Sequence, residues 1–481
     1  MGLVNKVKLS EIAQEKSLRF DVSFIKFFAS QKQEYYGYKD LFCIPAVNNV
    51  NLSEIEELKY AEISNINKEG EVYPVHLCFD NKNEENESYF AKIERGDIFK
   101  PQINSILLSS VRPYLNKNVL ITDDELYFTK AMIQIKPKIN PKLFYYCIRS
   151  VFFDLINAVS RQGKGYPTLK ADDLKNIKFP KTLVDSILRQ ENMLVSNIEF
   201  IEQEIQKLKK SKKLHLEIIN EAFAEEFNYD ENLWRAFGKG MSANTQNSNI
   251  RLVQIYAIKF SDIDKSLNLR FSCRFHNPLS QQCENILHAQ NTIKIKDILA
   301  KEIRRGINPQ YDENGEIAVV KTAQLKNSVI DLECCEFVNK KFFSQKQNAK
   351  INKNDIVIAS TGKVSIGKID IWEDEEKEVL ADAHISIVTI NEKLYNPLFL
   401  VYFLRSILGA YQIERDYTGT TNQVELYANE ISNFDILNIS LEQQQAIAQK
   451  IKAQIDNQNF IDEQIKQKQQ EISHLIISVL A

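Results

Sequence analysis

The sequence is poor in the features that announce chemistry. Its six histidines (His76, His215, His276, His288, His384 and His474) form no HxH or HxxxH set that could seat a metal. Seven cysteines are scattered and only Cys334 and Cys335 lie close together, so CxxC pairs are excluded and reduced, structural thiols are expected. No apolar run approaches the ~20 residues of a membrane-spanning helix. The opening stretch MGLVNKVKLSEIAQEK has no signal-peptide core, so a cytoplasmic chain without membrane contact is expected. No glycine-rich turn follows a strand to hold adenosylmethionine, and no Asn-Pro-Pro-aromatic or Asp-Pro-Pro-Tyr tetrapeptide marks amino-methyl transfer. No serine sits in a GxSxG setting. Asp123-Asp124, in TDDELYF, reads as a solvated turn. An excess of charge is missing too: the net value is −3, so a polyanionic partner has to be met by local patches. Nothing here calls for an enzyme.

One stretch imitates a phosphate-binding loop. In STGKVSIGKIDIW, Gly362 is followed by four residues and then Gly367-Lys368. A phosphate loop needs Ser or Thr after the lysine for Mg²⁺, and a helix whose first amides face the phosphates. Ile369 follows instead, and KIDIW alternates like a strand. The expectation is a hairpin with glycines in its turn.

What is present is a repeat. A chain of 481 residues, 44% hydrophobic and 26% charged, is long enough for two or three globular domains. NPKLFYYCIRS (Asn140–Ser150) pairs with NPLFLVYFLRS (Asn396–Ser406), and LKADDLKNIKFP from Leu169 with LYANEISNFDIL from Leu426. EFIEQEI from Glu199 pairs with NFIDEQI from Asn459, and KSLRF (Lys16–Phe20) with LNLRF (Leu267–Phe271). Four matches in the same order, with a slowly drifting offset, indicate a tandem duplication of about half the chain.

Each copy has a segment of short strands and helices, followed by a long helical segment free of Gly and Pro. The helical segments run over Ser186–Phe223 and Leu441–Leu480. In the first, Ile198, Ile201, Ile205 and Leu208, then Leu214 and Ile218, recur at spacings of three and four with one interruption. In the second, Ile447, Ile451, Ile455, Ile461, Ile465, Ile472 and Leu475 form a similar stripe. Thirty-eight helical residues run roughly 57 Å. A helix with one apolar stripe needs a partner, and the helix of the other repeat is the expected one. The fold class expected is α+β: two homologous mixed domains separated by two long, antiparallel coiled-coil helices. The boundaries expected are residues 1–182, helix 183–225, a polar linker 226–249, residues 250–438 and helix 439–481.

Candidate nucleic-acid contacts fall in three kinds of place. The hairpin around Gly362 aligns with SILLSSVRPYLNKNVLI (Ser105–Ile121), which contains no glycine. One scaffold with unlike tips suggests two versions of a single reader and singles out Arg112, Tyr114, Thr361 and Lys363. Basic runs without acids come second: KKFFSQKQNAKINK with Lys340, Lys341 and Lys346, TKAMIQIKPKINPK with Lys130 and Lys136, and the pair Arg304-Arg305. Third are the loops after each Asn-Pro helix, SRQGKGYPTLK with Lys164 and Tyr166, and DYTGTTNQVEL with Thr420, Thr421, Asn422 and Gln423. Their donors suit a phosphate backbone or groove.

With these residues in view, the chain resembles the DNA-specificity (S) subunit of type I restriction–modification systems. The plan matches along nearly the whole length, and SLEQQQAIAQKI (Ser440–Ile451) is similar to the family's apolar-x-Glu-Gln-x-x-Ile helix start. Its counterpart SILRQENMLVSNI (Ser186–Ile198) keeps Gln190 but has Arg189 in place of Glu. The lead-in proline stands at Phe179-Pro180 and is missing at Ile439-Ser440. The resemblance implies a non-catalytic chain whose two recognition domains read a bipartite, asymmetric double-stranded DNA target. It implies as partners two methyltransferase subunits and restriction or translocase subunits. It implies no cofactor on this chain, with S-adenosylmethionine, ATP and Mg supplied through those partners. The specificity chain of a combined cleavage–methylation enzyme and a coiled-coil adaptor without DNA are the alternatives.

Overall fold

The computed structural model describes residues 34–47, 50–52, 55–79, 86–162, 165–236, 275–419 and 423–479. The matching stretches at Lys16–Phe20 and Leu267–Phe271 and most of the expected linker lie outside the described residues. The chain divides into two compact units, residues 1–211 with 462–481, and residues 212–461.

The first unit contains β1 (Tyr35–Gly37), β2 (Phe42–Cys43), β3 (Glu57–Ala61), β4 (Val75–Cys78), β5 (Ile106–Ser109), β6 (Val119–Leu120), β7 (Leu126–Phe128), β8 (Met132–Pro137), β9 (Arg161–Gln162), β10 (Pro167–Thr168) and β11 (Lys178–Pro180). One sheet has the order β2-β8-β5-β6, another β4-β3-β7, and β1 pairs with β11. β3 and β7 run parallel, while the first sheet is antiparallel throughout.

The second unit contains β12 (Thr292–Lys294), β13 (Arg304–Arg305), β14 (Ile317–Val320), β15 (Phe337–Val338), β16 (Lys350–Ile351), β17 (Ile356–Ala359), β18 (Ile369–Ile371), β19 (Val379–Ala381), β20 (Ile385–Val388) and β21 (Asp435–Leu437). Its sheets are β13-β20-β17-β18, β15-β14-β19-β16 and β12-β21, again with one parallel pair, β14 and β19. The two strand orders correspond almost strand for strand, so the duplication read in the sequence is a duplication of topology. The fold is α+β, as expected. In each unit the first and last strands close on one another, Tyr35 opposite Pro180 and Thr292 opposite Leu437.

Local chemistry explains the best sequence match. α1 (Pro141–Arg149) and α2 (Pro397–Arg405) both start on an Asn-Pro pair. The Asn140 side chain accepts the amides of Lys142 and Leu143, and that of Asn396 accepts the amide of Phe399. Proline at the first helical position removes a donor that has no partner there. The same two starts are tied to the helical segments: Glu191 accepts the Asn140 amide at 3.0 Å, and Gln444 the Asn396 amide at 2.8 Å.

The helical segments depart from expectation in one respect. The first is not continuous from Ser186 to Phe223; it is α3 (Lys181–Arg189), α4 (Glu191–Ser211) and α5 (His215–Phe227). The apolar stripe lapses between Leu208 and Leu214, where the side chains are Lys and Ser, and Leu214 is extended at ψ 142°. Charges crowded in one turn favour a break there. The second segment is one helix, α6 (Leu441–Ser478). α5 belongs to the second unit, and α6 contributes residues through Ile461 to the second unit and from Asp462 to the first. Compactness thus divides the chain otherwise than its repeat does.

In the second unit α5 is built into the core. Phe223 is fully buried and lies 5.6 Å from the Phe399 ring and 6.0 Å from the Phe403 ring. The buried Asn220 accepts the amide of Ile407 at 2.8 Å, at the start of the helix Ile407–Asp416. Ile447, Ile451 and Ile455 enter the same core. In the first unit Lys468 on α6 pairs with Glu204 on α4 at 2.8 Å. The six cysteines among the described residues are free, and no helix there is long and apolar enough to cross a membrane.

Candidate nucleic-acid interface

The resemblance to a phosphate loop ends at the backbone. β17 and β18 are an antiparallel hairpin, with Gly362 at φ 84° and Gly367 at φ 81° in its turn. No helix follows Lys368. Burial, with Lys326 nearby, holds that ammonium below its ordinary range.

The corresponding turn in the first unit, between β5 and β6, is bent at the same two places. Arg112 has φ 49° and Asn116 φ 55°, with a 3₁₀ turn at Pro113–Leu115 between them. The loop after each Asn-Pro helix is zipped to the turn in the same way. In the first unit the Arg112 amide bonds to the Pro167 carbonyl at 2.9 Å and the Leu169 amide to Ser110 at 2.8 Å. In the second, the Gly362 amide bonds to Val424 at 3.1 Å and the Leu426 amide to Ser360 at 2.9 Å. Two regions named separately in the sequence therefore form one surface in each unit.

In the first unit that surface gathers Arg112, Tyr114, Tyr166 and Lys130. The Arg112 guanidinium lies 5.2 Å from the Tyr166 ring centroid, a cation–π distance. Tyr114 and Tyr166 are exposed. Lys130, also exposed, precedes Ala131, whose carbonyl accepts the Ser110 amide at the foot of the turn. Lys164 lies outside the described residues.

In the second unit the surface gathers Arg305, Thr361, Lys363 and Gln423. The Thr361 hydroxyl is 2.6 Å from His384 Nδ1. Arg305 donates to the Ala383 carbonyl at 2.8 Å and pairs with Glu425. Lys363 and Gln423 are exposed, and Val364, between the two glycines, is 89% exposed. Thr420, Thr421 and Asn422 lie outside the described residues. His384, Glu425 and Val364 were missed from the sequence. His384 and Glu425 meet the turn only through sheet order, and a lone valine carries no signal.

Other candidates lie elsewhere. Arg304 is turned inward, donating to the Asn348 and Lys350 carbonyls and pairing at 2.9 Å with Asp355, which is 1% exposed. Those commitments take it out of reach of a phosphate. Lys136 sits at the end of the sheet away from the turn, donating to Gln102 at 3.3 Å. Lys340, Lys341 and Lys346 belong to or adjoin the short helix Lys340–Gln345, whose Phe342 and Phe343 are core residues, not base-stacking platforms. Lys340 pairs with Glu316 at 2.5 Å, just before β14. The far end of β14 adjoins Asp382, next to the turn surface, so ~10 Å of strand separates the two. This basic run is a separate patch.

The helical stripes are interior. Ile198, Ile201, Ile205, Ile447, Ile451, Ile455, Ile461 and Ile465 are buried and Leu208 is half-buried. The open faces instead carry Phe200 and Phe460, at matching places in the two repeats and each 61% exposed.

A strand-and-turn platform with guanidinium, ammonium, amide and apolar groups at one end is suited to reading a polyanion with base edges. Residues 290–471 match the family model of the type I restriction modification DNA specificity domain. Residues 290–471 are thus similar to a DNA specificity domain. The chain carries that domain over the matched residues, and there the resemblance to the type I specificity family holds.

Among solved structures, one described for complex assembly and conformational transition of the type I R-M system is similar at 11% identity, over 93% of this chain and 98% of that one, with a TM-score of 0.41. The S subunit of a type I system from M. genitalium is similar at 13% identity, over 94% and 97%, with a TM-score of 0.40. The HsdS subunit from Thermoanaerobacter tengcongensis is similar at 12% identity, over 93% and 95%, with a TM-score of 0.33. No curated protein matches the chain in sequence.

Proposed function

We propose that the whole chain is the specificity subunit of a restriction–modification enzyme, with two readers in one polypeptide that each recognise half of a bipartite, asymmetric DNA target. The observation that carries this is one strand order present twice, with unlike side chains on like-bent turns. A duplicated reader whose copies had to recognise the same sequence would keep the same tip. The match of residues 290–471 to a DNA specificity domain supports the class.

The chain's own residues bind and position. Arg112, Lys130, Lys363, Arg305 and Gln423 contact the phosphate backbone and base edges around each turn. The partners are double-stranded DNA, two methyltransferase subunits and restriction or translocase subunits, which dock on the open faces of the helical segments. S-adenosylmethionine, ATP and Mg act on those partners. A methyltransferase reaches an adenine by flipping it out of the stack, so the specificity chain selects where that occurs.

The test is a genome-wide adenine-methylation map of the host with and without this gene. Loss of one bipartite motif on deletion is the expected result. An unchanged map, together with no methyltransferase co-purifying with the chain, would overturn the proposal.

A further inference from the structure

The two turns differ in a way that says what each reads. They share a left-handed residue at either end, Arg112 and Asn116 in one and Gly362 and Gly367 in the other. Glycine takes that conformation freely, whereas a side chain there is strained. The second unit has glycine at the first place, and the first unit keeps an arginine. Nothing in the turn's backbone needs that arginine. Its guanidinium is exposed, lies over Tyr166, and pairs with no carboxylate among the described residues.

Two positions further on, each turn exposes an apolar residue: Tyr114 at 48% and Val364 at 89%. A valine so open, on a turn pinned by the amides of Ser365 and Ile366 to the Gly362 carbonyl and of Gly367 to Ala359, is a rigid apolar point facing outward. Burying such a side chain against a partner surface is favourable.

Resting on the specificity-subunit reading, we propose that these turns are the base-reading tips. Arg112, steadied by Tyr166, reads a guanine in one half-site, and Val364 reads a thymine methyl in the other. A planar guanidinium fork matches the O6 and N7 acceptors of guanine, and an aliphatic side chain matches the thymine C5-methyl. Arg305 is partly neutralised by Glu425 and Thr361 is engaged with His384, so these frame Val364 as the contact at the second tip. Tyr114 shapes the first tip beside Arg112.

The test replaces the native gene in the host by Arg112→Gly, Val364→Ala or the double variant and maps adenine methylation. Arg112→Gly relieves the strained backbone, so it is expected to fold at least as stably as the parent. It should lose about ten- to a hundredfold of its preference at one G·C pair in one half-site. Val364→Ala alters an exposed side chain and should relax one T·A pair in the other half-site by about tenfold. The double variant should show both changes independently. Half-sites unchanged in the variants while the parent still directs a bipartite motif would overturn the tip assignment alone. Equal loss of modification at every site would also overturn it, because the turns would then act without regard to sequence. A parent that directs no motif would remove the specificity reading and this assignment together.

Discussion

At the scale of single residues, neighbours in sequence turn out to have unlike jobs. Arg304 and Arg305 are adjacent in β13, and successive side chains of a strand point to opposite faces. One points into the sheet and is held by Asp355, while the other faces the turn and meets Glu425. A two-residue strand has too little alternation to show this in sequence, so both arginines read as basic surface. Breaking a buried pair leaves an uncompensated charge, at about 3–5 kcal/mol. Arg304→Ala should therefore lower the unfolding free energy of the second unit by that amount in urea titrations. Arg305→Ala should leave stability nearly unchanged and weaken DNA retention on a salt gradient. The reverse pattern would exchange their roles. The surroundings of the basic run at Lys340 were hidden for a similar reason: Glu316, which pairs with Lys340, is remote in sequence, and the phenylalanines beside it belong to the core.

At the scale of elements, starts and turns were legible and partnerships were not. The Asn-Pro helix starts and the strand–turn–strand at Gly362 could be read directly, because capping and turn chemistry are local. The break before α5 could be read only as a lapse in the stripe. Its consequence, a helix of the first repeat seated in the core of the second unit, depends on remote residues. Asn220→Ala would leave the Ile407 amide buried without its acceptor, at about 1–3 kcal/mol. A thermal melt should show that loss, and an unchanged melt would mean the bond contributes nothing.

The hairpin strand β18 carries a second test. Asp370 is 2% exposed, and burial pushes its carboxyl up to about 7, against the charge of Arg405 and the amides of Asn327 and Lys326. The folded chain thus holds a proton that the unfolded chain, titrating near ~3.9, releases. This group's stabilisation is complete below that lower value and is lost as pH rises to about 7. Urea unfolding should show stability falling by on the order of a few kcal/mol between pH ~4 and ~7 from this group. Asp370→Asn should flatten that slope, and an equal slope in the variant would place its cause elsewhere.

At the scale of the whole molecule, two units of one topology share a chain, and the helical segments of both repeats contribute to both compact units. The repeat was legible because duplication leaves matches in fixed order. What the turns do was not, since their side chains differ where the scaffold does not. The exchange of helices escaped because it follows compactness and not sequence order. Two equivalent, independent readers make a sharp claim about domain exchange. Replacing residues 275–438 with the corresponding domain of another such chain, and mapping adenine methylation in the host, tests it most directly. One half of the recognised sequence should change and the other should stay as it was. A map in which both halves change together, or neither does, would contradict two independent readers in one chain.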